Sequence, residues 1–423
     1  MLCIVKPFFF FSYFLSFTLT TMKKRQNCHG IKNTRVEEIM MLSLSNDCHG
    51  IKNNKVDELP EHIMMLILSK LDLVGLHSFS AVCKSWQSIA IAAMKLREFH
   101  LQPQPPWVLL SFIGAYSHIA FYSFSHGKIF RLESPRQAYD AEFLGSNWGW
   151  LIMAGDKAYS FLLNPFTRKL IELPPQSTLP DYPCPLGLIL DNRIQKAILS
   201  SPPVLDDCVI IAIYDDRYLA FCKPGEEMWT TFPTYRFDLE DIIFYDGKLY
   251  AITKQCGLRL VELDPHPRIT NCNIAPPLEE DIRHPYMEVM SVHLVESLGE
   301  LLMVIRYVIY VYSVCFPTSM FKIFKLDEKG RSWIKVKDLG DQMLFIGTST
   351  GCSLSACDFP GFRRNCIYFT EENRLPVSLY GWKAILFHLE NNRIEHIKTF
   401  GRNCCCSRPI WFTPYLSREG GGI

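Results

Sequence analysis

From Trp107 onward the chain breaks into short apolar or alternating runs closed by turn residues, with no long stretch of helical period between them. The clearest unit is DIIFYDGKLYAIT from Asp241. Its Asp246-Gly247 pair stands between two alternating segments and predicts a two-residue hairpin. Further turns are expected at Ser125-His126-Gly127, Ala154-Gly155-Asp156, Asp327-Glu328-Lys329-Gly330 and Asn391-Asn392. So much antiparallel strand must dispose of its edges, and radial repetition does so at roughly 40–50 residues per blade. The spacing predicts an all-β propeller over 107–415 with about six or seven blades; a pair of sandwiches is the structural alternative. Three segments share a rhythm of strand, Asp or Asn-Pro turn, strand: FLLNPFTRKLIELP from Phe161, LVELDPHPRI from Leu260 and IFKLDEKGRSWIKV from Ile323.

A different texture precedes this region. Between Leu59 and Leu96, apolar residues recur at three- and four-residue intervals: Ile63, Leu66, Ile67 and Leu71. Pro60 suits a first helical turn. Asp72 can cap a second helix carrying Leu73, Leu76 and Phe79, and a third stretch runs through Val82, Trp86, Ile89 and Met94. Three such short helices bury little by themselves and need a neighbour or a partner. Pro103, Pro105 and Pro106 mark a linker. The expected order is an N-terminal extension over 1–54, a helical unit over 55–100, a Pro-rich linker over 101–106, the propeller over 107–415 and a tail over 416–423.

Composition narrows the function classes. Hydrophobic residues make up 48% and charged residues 21%, enough apolar matter for a sizeable core. Lys+Arg 44 against Asp+Glu 43 leaves a formal charge of +1, so neither a nucleic-acid backbone nor a strongly charged partner is indicated. The 16 cysteines are scattered, several in apolar stretches (Cys184, Cys208, Cys222, Cys315), and no Asn-x-Ser/Thr glycosylation acceptor occurs. Both features fit free thiols in a reducing compartment, cytoplasmic or nuclear.

The N-terminal region carries two oddities. An apolar run from Phe8 to Thr20 precedes Met22-Lys23-Lys24-Arg25. It is short for a bilayer span and no small-x-small cleavage site follows, so a start at Met22 is the favoured reading and a membrane anchor through residues 1–20 the alternative. The hexapeptide Cys28-His29-Gly30-Ile31-Lys32-Asn33 recurs unchanged from Cys48 to Asn53, which reads as a local duplication. Adjacent Cys-His pairs lack the spacing that converges on one metal ion.

The stretch LPEHIMMLILSKLDLVGLHSFSAVCKSWQSIA from Leu59 resembles the F-box, with Leu59-Pro60-Glu61, Ile63, Leu66, Leu71, Leu76, Val82-Cys83-Lys84 and Trp86 at the family's positions. The resemblance implies docking onto a Skp-type adaptor and through it a cullin. Leu59, Pro60, Ile63, Leu66, Leu71, Leu76, Val82 and Trp86 are the candidate adaptor-binding residues, some of them internal core. Farther on, NPFTRKLIELPP, WIKVKDLGDQML, LFIGTSTGCSLSA, NCIYFTEE and RPIWFTPYL are similar to the plant F-box proteins with a KIB-type propeller domain. That resemblance implies a non-catalytic subunit of a ubiquitin ligase, without a cofactor, whose propeller recruits a protein substrate.

Rival chemistries are weak. Gly347-Thr348-Ser349-Thr350-Gly351 satisfies the G-x-S-x-G form of serine hydrolases, but that elbow needs a helix after it, and Cys352 to Ser355 continue as strand-like alternation. Cys404-Cys405-Cys406 read as a thiol cluster in a loop, since adjacent cysteines cannot wrap one ion. A propeller enzyme would need carboxylates and histidines on one face, and Asp281, His284 and His293 are sparse for that purpose. A non-ligase interaction protein is the other alternative.

Overall fold

The computed structural model describes residues 60–95, 102–110, 118–139, 141–155, 159–180, 193–205, 207–215, 218–232, 238–275, 286–311, 314–327, 329, 331–371, 382–400 and 409–415. The chain divides into two compact units, a helical one through residue 104 that also takes in residues 357–361, and a strand one over residues 105–356 and 362–417.

The helical unit holds α1 (Glu61–Leu68), α2 (Leu73–Ser80) and α3 (Lys84–Lys95). Pro60 opens α1, and its carbonyl accepts from the N–H groups of Ile63 and Met64. The Asp72 carboxylate caps α2 by accepting from Gly75 N at 2.8 Å. Met64, Leu68, Leu71, Leu76, Phe79, Trp86 and Ala90 are buried. The Phe79 and Trp86 rings lie 4.4 Å apart and pin α2 against α3. After α3 the chain returns along the α1–α2 turn, where Gln102 donates from its backbone to Leu71 O and from its side chain to Ser69 O.

The strand unit is a propeller of six blades. The first contains β1 (Trp107–Leu110), β2 (His118–Ser123) and β3 (Lys128–Glu133). The second is β4 (Glu142–Asn147), β5 (Trp150–Ala154), β6 (Ser160–Leu163) and β7 (Leu170–Leu173). The third is β8 (Ile194–Leu199), β9 (Ile210–Tyr214), β10 (Tyr218–Cys222) and β11 (Thr230–Thr231). The fourth is β12 (Leu239–Tyr245), β13 (Lys248–Thr253), β14 (Leu258–Glu262) and β15 (Arg268–Asn271). The fifth is β16 (Met287–Ser297), β17 (Glu300–Val311), β18 (Val314–Leu326) and β19 (Trp333–Val336). The sixth is β20 (Gln342–Ile346), β21 (Cys352–Ser355), β22 (Cys366–Glu371), β23 (Lys383–His388) and β24 (Arg393–Thr399). The last strand, β25 (Ile410–Phe412), returns to the first blade and pairs with β1, matching Trp107 to Phe412 and Leu109 to Ile410. The ring is closed by the two ends of its own sheet system.

Local signals explain the hairpins. Asp246 and Gly247 both have positive φ, 48° and 68°, and join β12 to β13 with Tyr245 opposite Lys248. The shared rhythm seen at Phe161, Leu260 and Ile323 is one element three times over. It is the outermost hairpin of the second, fourth and fifth blades. Asn164 shows why the pattern favours its residues, because its side-chain oxygen accepts from the N–H groups of Phe166 and Thr167 and closes the turn.

The apolar core is a set of layers between neighbouring blades. Between blades two and three, Asn147 on β4 exchanges two hydrogen bonds with the backbone of Leu199, and Trp229 Nε1 donates to Pro174 O at 2.8 Å. Gly145 approaches Ala197 O so closely that a Cβ there would lie 2.0 Å from it. The closing seam is aromatic. Phe412 packs 5.0 Å from Phe121, and Trp411 packs 5.0 Å from Phe345 while its Nε1 donates to Ile346 O at 2.8 Å.

The sixth blade departs from the simple meander. β20 runs parallel to β22, and a hairpin places β21 innermost, beside β16. Ring closure at Trp411 gives a direct test. Trp411→Ala removes a buried indole and its hydrogen bond, so a loss of about 3–5 kcal/mol is expected. The urea midpoint of the propeller transition should fall accordingly.

Candidate functional site

Chemistry and exposed apolar surface gather in the helical unit, at the axis of the propeller, on its sixth blade and on the turns at one end of the ring.

In the helical unit the apolar residues of α1 run without a break from Ile63 to Leu68. Met64 and Leu68 turn inward, while Ile63, Met65, Leu66 and Ile67 remain half-buried. A helix apolar on every side has no face suited to water, which is the mark of an element with something still to cover it. Of the candidate adaptor-binding residues, Leu71, Leu76 and Trp86 lie in the internal core. Pro60 is exposed, Val82 is 42% exposed, and Ile63 and Leu66 are half-buried. Leu59 lies outside the described residues. Met65 and Ile67 belong with the accessible set, and the unbroken run of apolar residues is the signal that could have included them.

At the propeller axis, Lys196 on β8 and Asp241 on β12 form a buried ion pair with Nζ 2.5 Å from Oδ1. Asp241 also accepts from Ile242 N at 2.7 Å and from Leu294 N at 2.9 Å, so one carboxylate ties the third, fourth and fifth blades. Burial pushes its carboxyl upward, against the pull of Lys196 and the two backbone donors. Lys196 in turn donates to Ser349 O at 3.2 Å. Ser349 lies at the centre of the G-x-S-x-G segment, which proves to be the turn between β20 and β21. That turn lies across the ring. It touches the third blade through Lys196, the fifth through Gly351 beside Val295, and the first through Gly347 beside Trp411. A strand follows it, and Ser349 is fully buried, so it is no nucleophile elbow.

His293 belongs to the same cluster. Its Nε2 lies 2.9 Å from Ser291 Oγ and its Nδ1 3.9 Å from Asp241 Oδ2. Burial, with the charges of Lys196 and Arg306, pushes the imidazole down to about 3 and keeps it neutral. Asp281 and His284 lie outside the described residues, as do Cys28, His29, Cys48, His49 and Cys404 to Cys406.

One further constellation resembles a thiol hydrolase. Cys366 Sγ lies 3.4 Å from His388 Nδ1, and His388 Nε2 lies 3.1 Å from Glu395 Oε2. The residues are neighbours on β22, β23 and β24. Cys366 is buried, and burial pushes its thiol up to about 11, the opposite of an activated thiolate. Among the described residues no group of three or more His, Cys, Asp or Glu could hold a metal ion, and no helix is long and apolar enough to cross a membrane.

Several large apolar side chains are exposed on the described part of the propeller. Trp148, 41% exposed, and Leu298, 79% exposed, stand on turns that leave the innermost strands β4 and β16. Leu205 and Met228 occupy loops at the same end of the third blade, and Tyr415 follows β25 there. These exposed side chains therefore share the end of the ring where its innermost strands finish.

Comparison with known proteins is consistent along the chain. Residues 121–394 match the family described as KIB1-4 beta-propeller, and residues 56–91 match the F-box domain. An F-box/kelch-repeat protein of Arabidopsis thaliana is 26% identical over 84% of this chain and 94% of its own length. An F-box protein of the same plant is 25% identical over 77% of this chain and 84% of its own. Among solved structures, the β-propeller domain of Cps50 (Swd1) from Myceliophteria thermophila is similar with a TM-score of 0.32 and 11% identity, covering 68% of this chain and 84% of that one.

The axial cluster generates two expectations. Asp241→Asn leaves the Lys196 ammonium buried without its counter-charge and should cost about 3–5 kcal/mol, whereas adding Lys196→Met should recover most of the loss. Thermal midpoints of the two variants test this. His293 stays neutral in the folded chain down to about 3, against the ordinary imidazole value of about 6.5. The unfolded chain takes up that proton first, so stability is lost as pH falls below 6.5 toward 3, and His293→Gln should flatten this part of the acid limb in pH-dependent melts.

Proposed function

The chain belongs to the KIB1-4 β-propeller family and carries an F-box ahead of that domain, and from that premise we propose that it is the substrate receptor of a Skp–cullin–F-box ubiquitin ligase. The observation that supports this most is the character of α1. Ile63, Met65, Leu66 and Ile67 leave apolar surface beyond what the helical unit covers, and Pro60 and Val82 extend it. A Skp-type adaptor supplies helices that would bury this surface. Leu71, Leu76 and Trp86 serve the docking indirectly by holding the three helices together.

The receptor performs no bond-making step. Its work is proximity: one unit is held on the ligase while the propeller holds a client near a ubiquitin-charged enzyme, which raises the effective concentration of the reacting groups. The turns bearing Trp148, Leu205, Met228 and Leu298 are the client surface in this reading, because rigid blades present them and water does not favour them. The buried Ser349 and Cys366 take no part in catalysis.

The test is co-purification of the full chain with a Skp-type adaptor, beside Ile63→Asp and Leu66→Asp. Wild type should bind stoichiometrically, and each variant should lose at least about tenfold in affinity, or ~1.4 kcal/mol, with its helical circular dichroism intact. A folded wild type that ignores the adaptor ends the ligase reading.

A further inference from the structure

Three hairpins that leave innermost strands turn in the same way. Two-residue loops join β4 to β5, β12 to β13 and β16 to β17, closed by the pairs Asn147 with Trp150, Tyr245 with Lys248 and Ser297 with Glu300. Each loop is one residue followed by glycine, both at positive φ: Trp148-Gly149 at 55° and 75°, Asp246-Gly247 at 48° and 68°, Leu298-Gly299 at 53° and 76°. This left-handed backbone favours asparagine, aspartate or glycine at its first position. Asp246 follows that preference. Trp148 and Leu298 do not, and each also holds a large apolar side chain in water. Trp148 recovers part of the cost against the edge of the Tyr415 ring, 6.1 Å away, so Leu298 is the plainer case. A strained residue that its own turn would not select points to use by something outside the turn.

The charge around Leu298 indicates the kind of partner. Glu296 and Glu300 flank it on its own hairpin, and both are exposed. The turn of the fourth blade is tied to this one, because the Tyr245 hydroxyl donates to Gly299 O at 2.8 Å, and the exposed Asp246 is the next residue. Burial, with the negative charges of Asp246, Glu296 and Glu300, pushes the Tyr245 phenol up. Lys325 pairs with Glu300 at 2.6 Å and the exposed Lys248 offsets part of the remaining charge, but among the described residues Asp246 and Glu296 form no ion pair. The combination recurs on the third blade, where exposed Leu205 stands two residues before exposed Asp207, and exposed Met228 follows exposed Glu226 and Glu227. Apolar surface alone suits many partners. Edged with carboxylates, it repels anionic lipid and nucleic-acid phosphate and favours a cationic polypeptide.

We propose that this end of the ring docks a basic, apolar segment of a protein client, one in which lysine or arginine flanks a large apolar side chain. Leu298 contacts the apolar side chain, and Asp246 and Glu296 face the flanking cations. The proposal rests on the reading of these turns as the client surface and adds the chemistry of the client to it. Covering Leu298 supplies affinity by removing apolar area from water. Exposed carboxylates contribute more to the rate of encounter and to the rejection of acidic proteins, so docking should weaken as salt rises.

The experiment is fluorescence-polarisation titration of the full chain with three labelled peptides of one length. The first alternates lysine and arginine with leucine and tryptophan. The second replaces its cations by glutamate, and the third keeps the cations but replaces leucine and tryptophan by serine. The first should bind saturably, and the other two about tenfold more weakly. Leu298→Asn suits the left-handed turn better than leucine does, so the melting temperature should stay level or rise while binding of the first peptide falls about tenfold. Asp246→Asn combined with Glu296→Gln should weaken that binding severalfold and flatten its salt dependence. The proposal is overturned if the first peptide does not bind saturably, if either control binds as tightly, or if Leu298→Asn binds as well as wild type. If Leu298→Asn does not fold, the double variant decides: undiminished binding overturns the proposal. Adaptor binding by the same preparation separates the two readings. A chain that binds the adaptor but not the first peptide loses only this proposal, and one that binds the peptide but not the adaptor loses only the ligase reading.

Discussion

Everything in the strand unit depends on closing a ring. Six sheets packed as wedges leave two bare edges until β25 pairs with β1, and the pairing spans only Trp107 to Leu109 against Ile410 to Phe412. So short a ladder is weak by its hydrogen bonds alone. Its strength comes from the rings packed around it, Trp107, Phe121, Phe345, Trp411 and Phe412. The 13% aromatic content thus has a structural use. It concentrates apolar area where the chain must be held together across some three hundred intervening residues, a separation that also makes closure entropically costly.

Polar groups inside the ring do a different job. Apolar layers between blades tolerate sliding, because burial is not directional. Asp241, Asn147 and Gln176 are directional. Gln176, for instance, accepts from Arg193 N and Ile194 N and donates to Ser160, which sets the third blade against the second. A single buried amide or carboxylate with all its partners fixes register where methyl groups cannot. The same logic disposes of the apparent chemistry. The imidazole of His388 between Cys366 and Glu395 has the spacing of a catalytic relay, yet burial leaves the sulfur protonated, and the three residues join strands.

Much of this was legible in the chain. Asp246-Gly247 announced a hairpin, the Asn164-Pro165 rhythm announced a strand–turn–strand unit whose outer place in the blade only the sheet order shows, and Pro60 and Asp72 announced the starts of α1 and α2. The blade count was open between six and seven because some three hundred residues at roughly 40–50 per blade allow either number. Period and turn residues cannot reveal that β20 runs parallel to β22, since strand direction is decided by partners far along the chain. The division of the adaptor-binding candidates was hidden for a similar reason: helical period places Leu71, Leu76 and Trp86 on apolar faces without saying which face meets the other helices. The burial of Lys322 on β18 was invisible. In the run Ile323-Phe324-Lys325 and its neighbours, only the register with β17 tells which lysine points into a seam and which, like Lys325 paired with Glu300, points to water.

The contact between Lys196 and Ser349 joins the third blade to the sixth, and in a ring of six those are opposite. It acts as a strut across a wheel. A ring of separate wedges deforms most easily by becoming oval, one diameter lengthening as the perpendicular one shortens. A strut resists that motion along its own diameter and leaves the crossing direction softer. The third and sixth blades are therefore the pair that the strut braces directly. Trp148 rises from the second blade and Leu298 from the fifth. They are opposite one another as well, on a diameter that the strut does not brace.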